Sequence, residues 1–561
     1  MLLRYLPGLT IALFLGPVVA GLLGTVLPAF GYLPVLGGER LSLEPWRQLL
    51  AAPGLATALR LSLVSGFLST ALALALTVLV FAAGQGTRTL TRAKQSMTPL
   101  LAVPHLAMAV GLAFLIAPSG WLVRLASPWL TGWDRPPDLA LVQDPFGLAL
   151  TLGLVIKETP FLILMTFAAL GQVRADDQLR MARSLGYGPV YAWLKVVLPT
   201  VYPQIRLPVY AVLAYSLSVV DMAIVLGPTT PPTLAVLVLR WLNDPDLAMR
   251  FQATAGACLQ FAIVVAAIGL WRGLELAFAR LARPWLVGGG RGGSGRLVRL
   301  AAWTGIALLI GLALGSLLSL AVWSVAHRWR FPDAWPQQLS PESWSRQLDA
   351  MAQPAWTTLT VGLATALLAL LLVAGCLENE SRRGYRPGRG VLALVYLPLL
   401  APQIGFLFGV QLLLVRVDLD GTWLAVVWAH LLFVLPYVFL TLADPYRSLD
   451  PRYTRSALSL GKSPGVVWLR VKLVMLLRPV MVAFAVGFAV SAAQYVPTLF
   501  AGGGRIATLT TEALSLASGG NRRTVGVFAF TLAILPLLGF ALALGLPAWR
   551  FRHRRAMQST A

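Results

Sequence analysis

Four polar side chains lie inside stretches of the sequence that are otherwise apolar: Glu158, Asp221, His430 and Gln494. Ionisable groups at membrane depth are costly, and most of them face a pathway for a solute or for protons. Lys157 directly precedes Glu158, and neighbouring positions on a helix point to different faces, so these two charges need not pair. We predict that the four side chains line a pathway for a cationic or hydrogen-bonding solute. The alternative is that they are polar clamps that hold helices together.

The sequence carries no pattern typical of an enzyme. It has no Ser-His-Asp order and no metalloprotease motif. Residues 288–296 formally match GxGxxG, but no strand precedes them, and Arg296-Leu297 replaces the Lys-Ser/Thr of a phosphate loop. This Gly-rich stretch is typical of a flexible linker. Cys258 and Cys376 lie in apolar runs, without the spacing of a disulfide framework or a metal site. We therefore expect no catalytic residue, no metal and no cofactor in this chain.

The positions of the apolar runs indicate the elements that hold these residues. The chain is 57% hydrophobic and 12% charged, whereas soluble domains carry roughly 25% charged residues. A membrane-spanning helix needs about 17–25 apolar residues. Runs of this length lie near 7–29, 56–82, 98–117, 145–170, 207–226, 252–271, 300–324, 356–377, 391–415, 422–442, 479–497 and 524–547. The sequence thus predicts an all-α polytopic membrane protein with twelve transmembrane helices.

The first apolar run also has features of a signal peptide. It follows Arg4 and contains small residues near Ala20 that could form a cleavage site. The second half of the chain opens in the same way, with a span, a polar loop of similar length and another span. This parallel favours a membrane span for residues 7–29.

The basic residues predict the orientation. With the N-terminus inside, the cytoplasmic segments are 1–6, 84–97, 171–206, 272–299, 378–389, 444–478 and 548–561. These segments together hold the whole net charge of +23, as the positive-inside rule expects. In a soluble protein this charge would suggest nucleic acid, but here its distribution explains it, and we expect no nucleic-acid partner. Both termini are predicted to be cytoplasmic.

One polar and basic segment occurs twice. It reads Arg180-Met181-Ala182-Arg183-Ser184-Leu185-Gly186 in the first half and Arg455-Ser456-Ala457-Leu458-Ser459-Leu460-Gly461 in the second. Gly and Pro after Leu185 and Leu460 predict a short helix that ends at the Gly. A rigid helix on the cytoplasmic face could be gripped by a soluble partner. The alternative is a basic loop that only follows the positive-inside rule.

The repeat extends beyond these segments. Corresponding landmarks are Pro104 and Gly111 with Pro402 and Gly409, Pro160 with Pro436, Asp221 with Gln494, and Thr233-Leu234 with Thr508-Leu509. Because both copies of the basic segment face the cytoplasm, the two six-helix repeats have the same topology, related by a pseudo-twofold axis along the membrane normal. We predict a first repeat at 1–283, a linker at 284–297 and a second repeat at 298–561. The paired prolines are hinges or static kinks.

The basic segments resemble the EAA signature of permease subunits of binding-protein-dependent ABC importers. In that signature Glu-Ala-Ala-x-x-x-Gly is followed by a hydrophobic-x-Leu-Pro tail. Ala182 and Gly186 match with the tail Val196-Val197-Leu198-Pro199, and Ala457 and Gly461 match in the second copy. Arg180 and Arg455 replace the Glu, and Val474 replaces the second Pro. The resemblance covers nearly the whole chain. In this respect the chain is similar to the fused two-permease proteins of the iron(III) and thiamine importer type.

This resemblance implies a type I ABC importer transmembrane fold in the inner (plasma) membrane. Loops 171–206 and 444–478 would then be coupling loops, each seated in one of two ABC ATPase subunits that bind the ATP. A periplasmic or extracellular solute-binding protein would deliver the solute to outer loops near 227–250 and 498–522, with lipid around the spans. The implied ATPase-coupling residues are Arg180, Ala182, Leu185, Gly186, Pro199, Arg455, Ala457, Leu460 and Gly461.

Two other functions remain open from the residues themselves. A proton-coupled secondary transporter with two six-helix halves would use Glu158, Asp221 or His430 as proton sites and would need no ATPase. A polytopic membrane enzyme would need a cluster of polar residues at one interface, which the sequence lacks. The transported solute cannot be read from the sequence.

Overall fold

The computed structural model describes residues 2–293, 295–384 and 388–552. Parts of the predicted terminal segments, of the linker and of segment 378–389 therefore lie outside the described residues. The described chain is mostly helical, as the apolar runs predict, because lipid offers no partners for unpaired backbone groups. The all-α, two-repeat membrane fold is confirmed.

The first half contains these α-helices: α1 (Leu6–Ala29), α2 (Glu44–Ala51), α3 (Leu55–Gly84), α4 (Arg88–Ala102), α5 (His105–Ile116), α6 (Trp121–Ala126), α7 (Leu148–Leu170), α8 (Ala175–Ser184), α9 (Pro189–Ala192), α10 (Leu198–Ser218), α11 (Asp221–Leu226), α12 (Leu234–Leu242) and α13 (Met249–Val287). Single-turn 3-10 helices lie at Leu2–Arg4 and Pro34–Leu36. A π-helix (Trp193–Val197) joins α9 to α10.

The second half repeats this order: α14 (Arg296–Val325), α15 (Glu342–Arg383), α16 (Arg389–Leu400), α17 (Ile404–Arg416), α18 (Trp423–Arg447), α19 (Pro451–Ser459), α20 (Pro464–Val467), α21 (Leu473–Met475), α22 (Leu477–Ala492), α23 (Val496–Gly502), α24 (Leu509–Ala517) and α25 (Arg522–Arg550). A π-helix (Trp468–Lys472) joins α20 to α21. A short antiparallel pair, β1 (Ala326–Arg328) and β2 (Gln338–Leu339), follows α14.

Within the described residues, ten helices are long and apolar enough to cross a membrane, and two bent helix pairs raise the number to twelve. The bent pairs are Leu394–Leu400 with Ile404–Arg416, at 107°, and Pro464–Met475 with Leu477–Ala492, at 78°. All twelve candidates fall on predicted apolar runs. The predicted orientation of the termini stays a prediction.

Four predicted spans are interrupted rather than continuous. The third breaks between α4 and α5, where Pro104 precedes the first residue of α5. The fifth breaks between α10 and α11, because Val219 is extended. The ninth is broken between α16, which ends at Leu400, and α17, which begins at Ile404. The eleventh breaks between α22 and α23. Hydrophobicity does not register these breaks because the apolar run continues through each of them.

The two halves are joined by exchanging their first spans. Helix α1 packs against α17 of the second half, and α14 packs against α5 of the first half. The amide of Gly409 donates to Thr25 Oγ1 at 3.2 Å, and a Cβ on Gly409 would collide with the carbonyl oxygen of Gly21. A Cβ on Gly111 would lie 2.5 Å from the carbonyl oxygen of Ser316. The repeated Gly111 and Gly409 thus mark close backbone approaches between the halves, as small residues do in membrane helix packing.

This close approach predicts a large effect for the smallest substitution. Gly409→Ala places a methyl group against the backbone of α1, which we expect to destabilise the fold by about 1–3 kcal/mol through overpacking. Gly16→Ala in α1 is the matched control, because nothing lies within 4 Å of its Cβ position. Thermal unfolding of the purified chain, followed by size-exclusion chromatography, checks this. Equal melting temperatures for the two variants would contradict the tight crossing.

Candidate coupling loops and membrane pathway

The repeated basic segments form two short helices with the same ending. Helix α8 ends at Ser184 and α19 ends at Ser459, and the next residue in each copy is the Leu of the repeated segment, Leu185 or Leu460. Tyr187 N donates to Ala182 O at 3.1 Å, and Lys462 N donates to Ala457 O at 3.3 Å. These bonds close a Schellman motif, which satisfies the last carbonyls of a helix. The predicted helix that ends at Gly is therefore present in both halves.

The glycines of the motif have a backbone role. Gly186 has φ +84° and Gly461 has φ +75°, in the left-handed region where a residue with a Cβ is strained. The backbone amides of the same two glycines complete the turn: Gly186 N donates to Arg183 O, and Gly461 N donates to Leu458 O. Gly in this position is thus explained by the geometry of the helix end.

Both helices carry apolar side chains that lack cover from this chain. Met181 is 68% exposed and Leu185 is 59% exposed, and they lie four residues apart on one face of the helix end. In the second copy Leu460 is 79% exposed. Arg180 is also exposed and pairs with Asp177 at 2.6 Å, and Arg455 is exposed. Apolar side chains in a basic, solvent-facing loop indicate a surface for a partner.

Each short helix is followed by a π-helix at the repeat offset. The one in the first half is followed by Pro199 near the start of α10, which cannot donate a backbone hydrogen bond. Val474 stands at the corresponding position of the second half, and the π-helix forms there as well. The π-helix therefore forms without this Pro, but the continuation differs: α10 runs on from Leu198, whereas the second half bends by 78° between α21 and α22.

The two π-helices pack on different partners. Trp193 is 1% exposed, and its ring lies 6.1 Å from that of Phe81 in α3. In the second half Trp468 Nε1 donates to Tyr446 Oη at 3.0 Å. Aromatic packing thus holds the first π-helix, and a polar contact holds the second.

A buried charged cluster surrounds the second π-helix. Lys472 Nζ lies 2.7 Å from Glu378 Oε2, and Arg382 Nε lies 2.6 Å from Glu378 Oε1. Tyr446 Oη donates to the same carboxylate at 2.5 Å. Because several donors share this carboxylate, its burial is compensated. The cluster fastens the second π-helix to the C-terminal end of α15.

Asp221 and Gln494 occupy equivalent helix breaks. Asp221 is the first residue of α11 and is 9% exposed, and Gln494 lies between α22 and α23 and is 8% exposed. Tyr495, which follows Gln494, lies within electrostatic range of Asp221. Among the described residues, Asp221 has no cationic group within salt-bridge distance. His105 and Lys157 lie within electrostatic range of this carboxylate without forming a salt bridge to it.

The adjacent charges of α7 have separate partners, as the sequence predicts. Lys157 Nζ donates to the carbonyl oxygens of Leu100 at 3.0 Å and Val103 at 2.6 Å, where α4 ends. Glu158 is 6% exposed, and its Oε1 lies 3.4 Å from His105 Nε2. Lys157 thus satisfies free carbonyl groups at the end of α4, whereas Glu158 faces the start of α5.

His430 bridges the other helix break. Its Nδ1 hydrogen-bonds with Ser491 Oγ at 2.7 Å and its Nε2 with Thr498 Oγ1 at 2.8 Å. The Thr498 hydroxyl also donates to Gln494 O at 2.7 Å. His430 is 2% exposed, so α18 is tied to both helices that flank the break.

Side chains from both halves meet around Asp221 and Glu158. Tyr215 lies within electrostatic range of Asp221, Glu158 and Tyr437, and its ring centroid is 4.8 Å from that of His105. The sequence analysis did not identify His105, Tyr215, Tyr437 or Tyr495. A signal was present for three of them, since each directly follows a repeated landmark: Pro104, Pro436 or Gln494.

A cavity of about 410 Å³ adjoins the second break. It lies between α11 of the first half and α23 and α24 of the second half. Its lining includes Ile224, Tyr495, Thr498, Thr511 and Glu512. The cavity thus reaches from one helix break into the segment 498–522, which the charge distribution predicts to be an outer loop.

The chain is similar to known membrane transport proteins. It is 33% identical to the inner membrane ABC transporter permease protein YnjC of Escherichia coli (strain K12) over 543 residues, which cover 96% of this chain and 95% of YnjC. The molybdenum transport system permease protein ModB of Mycobacterium bovis is 29% identical over 220 residues, 37% of this chain and 78% of ModB. The spermidine/putrescine transport system permease protein PotC of Haemophilus influenzae is 23% identical over 189 residues, 34% of this chain and 74% of PotC.

ModB and PotC each match a stretch shorter than one half of this chain, which agrees with a chain made of two permease repeats, whereas the match to YnjC runs nearly end to end. No protein-family model matches the sequence. A relative this similar over almost the full length of both proteins shares the architecture described above. The chain therefore belongs to the inner-membrane ABC transporter permeases.

Proposed function

We propose that this permease is the translocation subunit of a binding-protein-dependent ABC importer, in which α8 and α19 each dock one ATPase subunit. The observation that carries the proposal is the pair of Gly-capped helices with exposed apolar and basic side chains. A helix end closed by its own hydrogen bonds is rigid, so a push from a partner is transmitted rather than absorbed. ATP would be bound and hydrolysed by the partner subunits alone.

The chain connectivity supplies a route for this motion. Each short helix leads through a second short helix and a π-helix into α10 or α22, which end shortly before Asp221 and Gln494. In the second half the route also includes α21 and a 78° bend before α22. A π-helix is often found at functional sites and places an irregular turn within a rigid rod. Movement of α8 or α19 would therefore reach the helix breaks in the membrane through one continuous segment. This route supports alternating access around Asp221, Glu158 and Gln494.

The charges near the breaks favour a cationic solute. Asp221 and Glu158 are acidic, while Lys157 is engaged by helix carbonyls, and tyrosine rings surround the acids. Both carboxylates and aromatic faces attract cations. We propose a cation of the iron(III) or thiamine importer type, delivered by an outer binding protein toward the cavity at Glu512. His430 would act at the gate by holding its helices.

The first prediction concerns the helix ends. Gly461→Ala forces an alanine into a left-handed conformation that costs about 1–2 kcal/mol, and we expect ATP hydrolysis by the reconstituted complex to fall about tenfold. Gly465→Ala, four residues away in α20, is the control, because nothing lies within 4 Å of either Cβ position and only Gly461 has a positive φ. Equal hydrolysis by both variants would contradict the role of the cap.

The second prediction concerns the partner surface. Leu185→Asp and Leu460→Asp each place a charge in the proposed interface, and we expect each to weaken ATPase binding by about 2 kcal/mol. Leu339→Asp is the control: Leu339 is 66% exposed and lies in β2, on the predicted outer side. Co-purification of the ATPase is the measurement. Retention by all three variants would exclude docking at α8 and α19.

The third prediction concerns the pathway. Asp221→Asn and Glu158→Gln remove one charge each, and we expect the KM for a cationic solute to rise about tenfold while ATPase binding is kept. Uptake into proteoliposomes is measured with thiamine, iron(III), spermidine and molybdate, and Asp138→Asn in the exposed loop is the control. Wild-type uptake and affinity by Asp221→Ala would remove the pathway role. Uptake driven by a pH gradient without ATPase would instead establish the proton-coupled carrier.

A further inference from the structure

The linker between the halves is in direct backbone contact with the first coupling loop. Gly188, just before α9, donates its amide hydrogen to Arg291 O at 2.9 Å. A Cβ on Gly188 would lie only 2.5 Å from Gly293 O, so the two backbones approach as closely as glycine allows. The Arg291 side chain also lies 3.4 Å from the Cβ position of Gly186. The linker thus runs along the end of the first coupling helix.

One side chain of the π-helix binds the same linker. Lys195 is 9% exposed, and its Nζ donates to Gly288 O at 2.8 Å and Gly290 O at 3.0 Å. The ammonium group lies 4.9 Å from the ring centroid of Trp285, 5.8 Å from that of Tyr187 and 5.9 Å from that of Tyr191. Carbonyl oxygens and aromatic faces together compensate for the burial of a cation.

The second coupling loop has a different arrangement. Arg470 occupies the repeat position of Lys195 and is exposed. This loop is instead held by Lys472 and Glu378, and by Arg382, which donates to Pro464 O at 3.3 Å. These partners belong to α15, inside the second repeat. The contacts of Lys472 and Arg382 thus lie within the second repeat, whereas those of Lys195 and Gly188 reach the segment that joins the halves.

We propose that Lys195 is a positioning residue that fastens the first coupling loop to the linker, so that the loop and the start of α14 move as one unit. The two coupling points are then mechanically inequivalent: the first acts on both halves, and the second acts on its own half. The inference rests on the proposed function only in assigning motion to the loops. The fastening itself is a property of the permease without any partner.

Glycine in the linker is required by the same contact. Gly292 has φ +68°, and a Cβ there would collide with the ring of Tyr191. Gly289, by contrast, has nothing within 4 Å of its Cβ position and no positive φ. The linker therefore packs tightly against the loop at Gly292 but not at Gly289. Substitution of each by Ala gives a matched pair of variants.

Hydrogen exchange of the full-length permease in lipid nanodiscs, read by mass spectrometry, tests the fastening. Lys195→Met keeps the length of the side chain and removes both hydrogen bonds, so we expect about tenfold faster exchange in peptides that contain Gly188. Arg470→Met is the control and should leave peptides 455–475 unchanged. The proposal is overturned if exchange around Gly188 is unchanged in Lys195→Met. It is also overturned if Lys195→Met and Arg470→Met change the exchange of their peptides equally.

A second pair of variants and a second readout separate positioning from general stability. Gly292→Ala should loosen the same peptides, Gly289→Ala should not, and Lys195→Arg, which keeps N–H donors, should restore part of the protection. Melting temperature should stay within about 2 °C for all of them, while ATP hydrolysis by the complex falls several-fold for Lys195→Met and Gly292→Ala only. Faster exchange with unaltered hydrolysis would support the fastening and contradict the proposed coupling function. A melting temperature that falls in parallel with protection overturns the positioning role.

Discussion

Lipid supplies no hydrogen-bond partners, so each interruption of a helix at membrane depth must be satisfied by the protein itself. The polar side chains of the spans are placed at such interruptions. Lys157 donates to the carbonyls at the end of α4. Gln260 Nε2 donates to Leu217 O at 2.9 Å, next to the end of α10, and Ser62 Oγ accepts from Leu234 N at 2.9 Å. The helix breaks thus account for much of the polarity inside this apolar chain.

The two halves satisfy this constraint in related but unequal ways. Thr358 Oγ1 accepts from Leu509 N at 2.8 Å, which repeats the contact that Ser62 makes with Leu234. At the paired helix breaks, however, one carries the acid Asp221 and the other the neutral Gln494. His430, which ties the second break together, has Leu154 at the matching position of α7 when Pro436 is aligned with Pro160. A pathway between unequal halves offers an asymmetric solute two different surfaces, which a dimer of identical subunits cannot do.

Much of this organisation is predictable from the sequence, because its signals are local. Spans follow from hydrophobicity, the repeat from a constant offset, and the ends of α8 and α19 from Gly186 and Gly461. The broken spans are not predictable in this way, because valine and alanine continue the apolar run through each break. Neither is the grouping of His105, Tyr215 and Tyr437, which depends on how helices distant in sequence pack. Gly-rich composition likewise predicts a flexible linker but says nothing about the backbone it contacts.

The exchange of first spans between the halves has a consequence for biosynthesis. The surface of α5 around Gly111 is completed by α14, which begins only at Arg296, and the surface of α17 around Gly409 is completed by α1. When the first six spans are in the bilayer, the surface of α5 that α14 covers is still open, and α1 can pack against α13 but not yet against α17. The packing of the first half is therefore completed only after the second half is inserted, because the contacts of α1 with α17 and of α5 with α14 need both repeats.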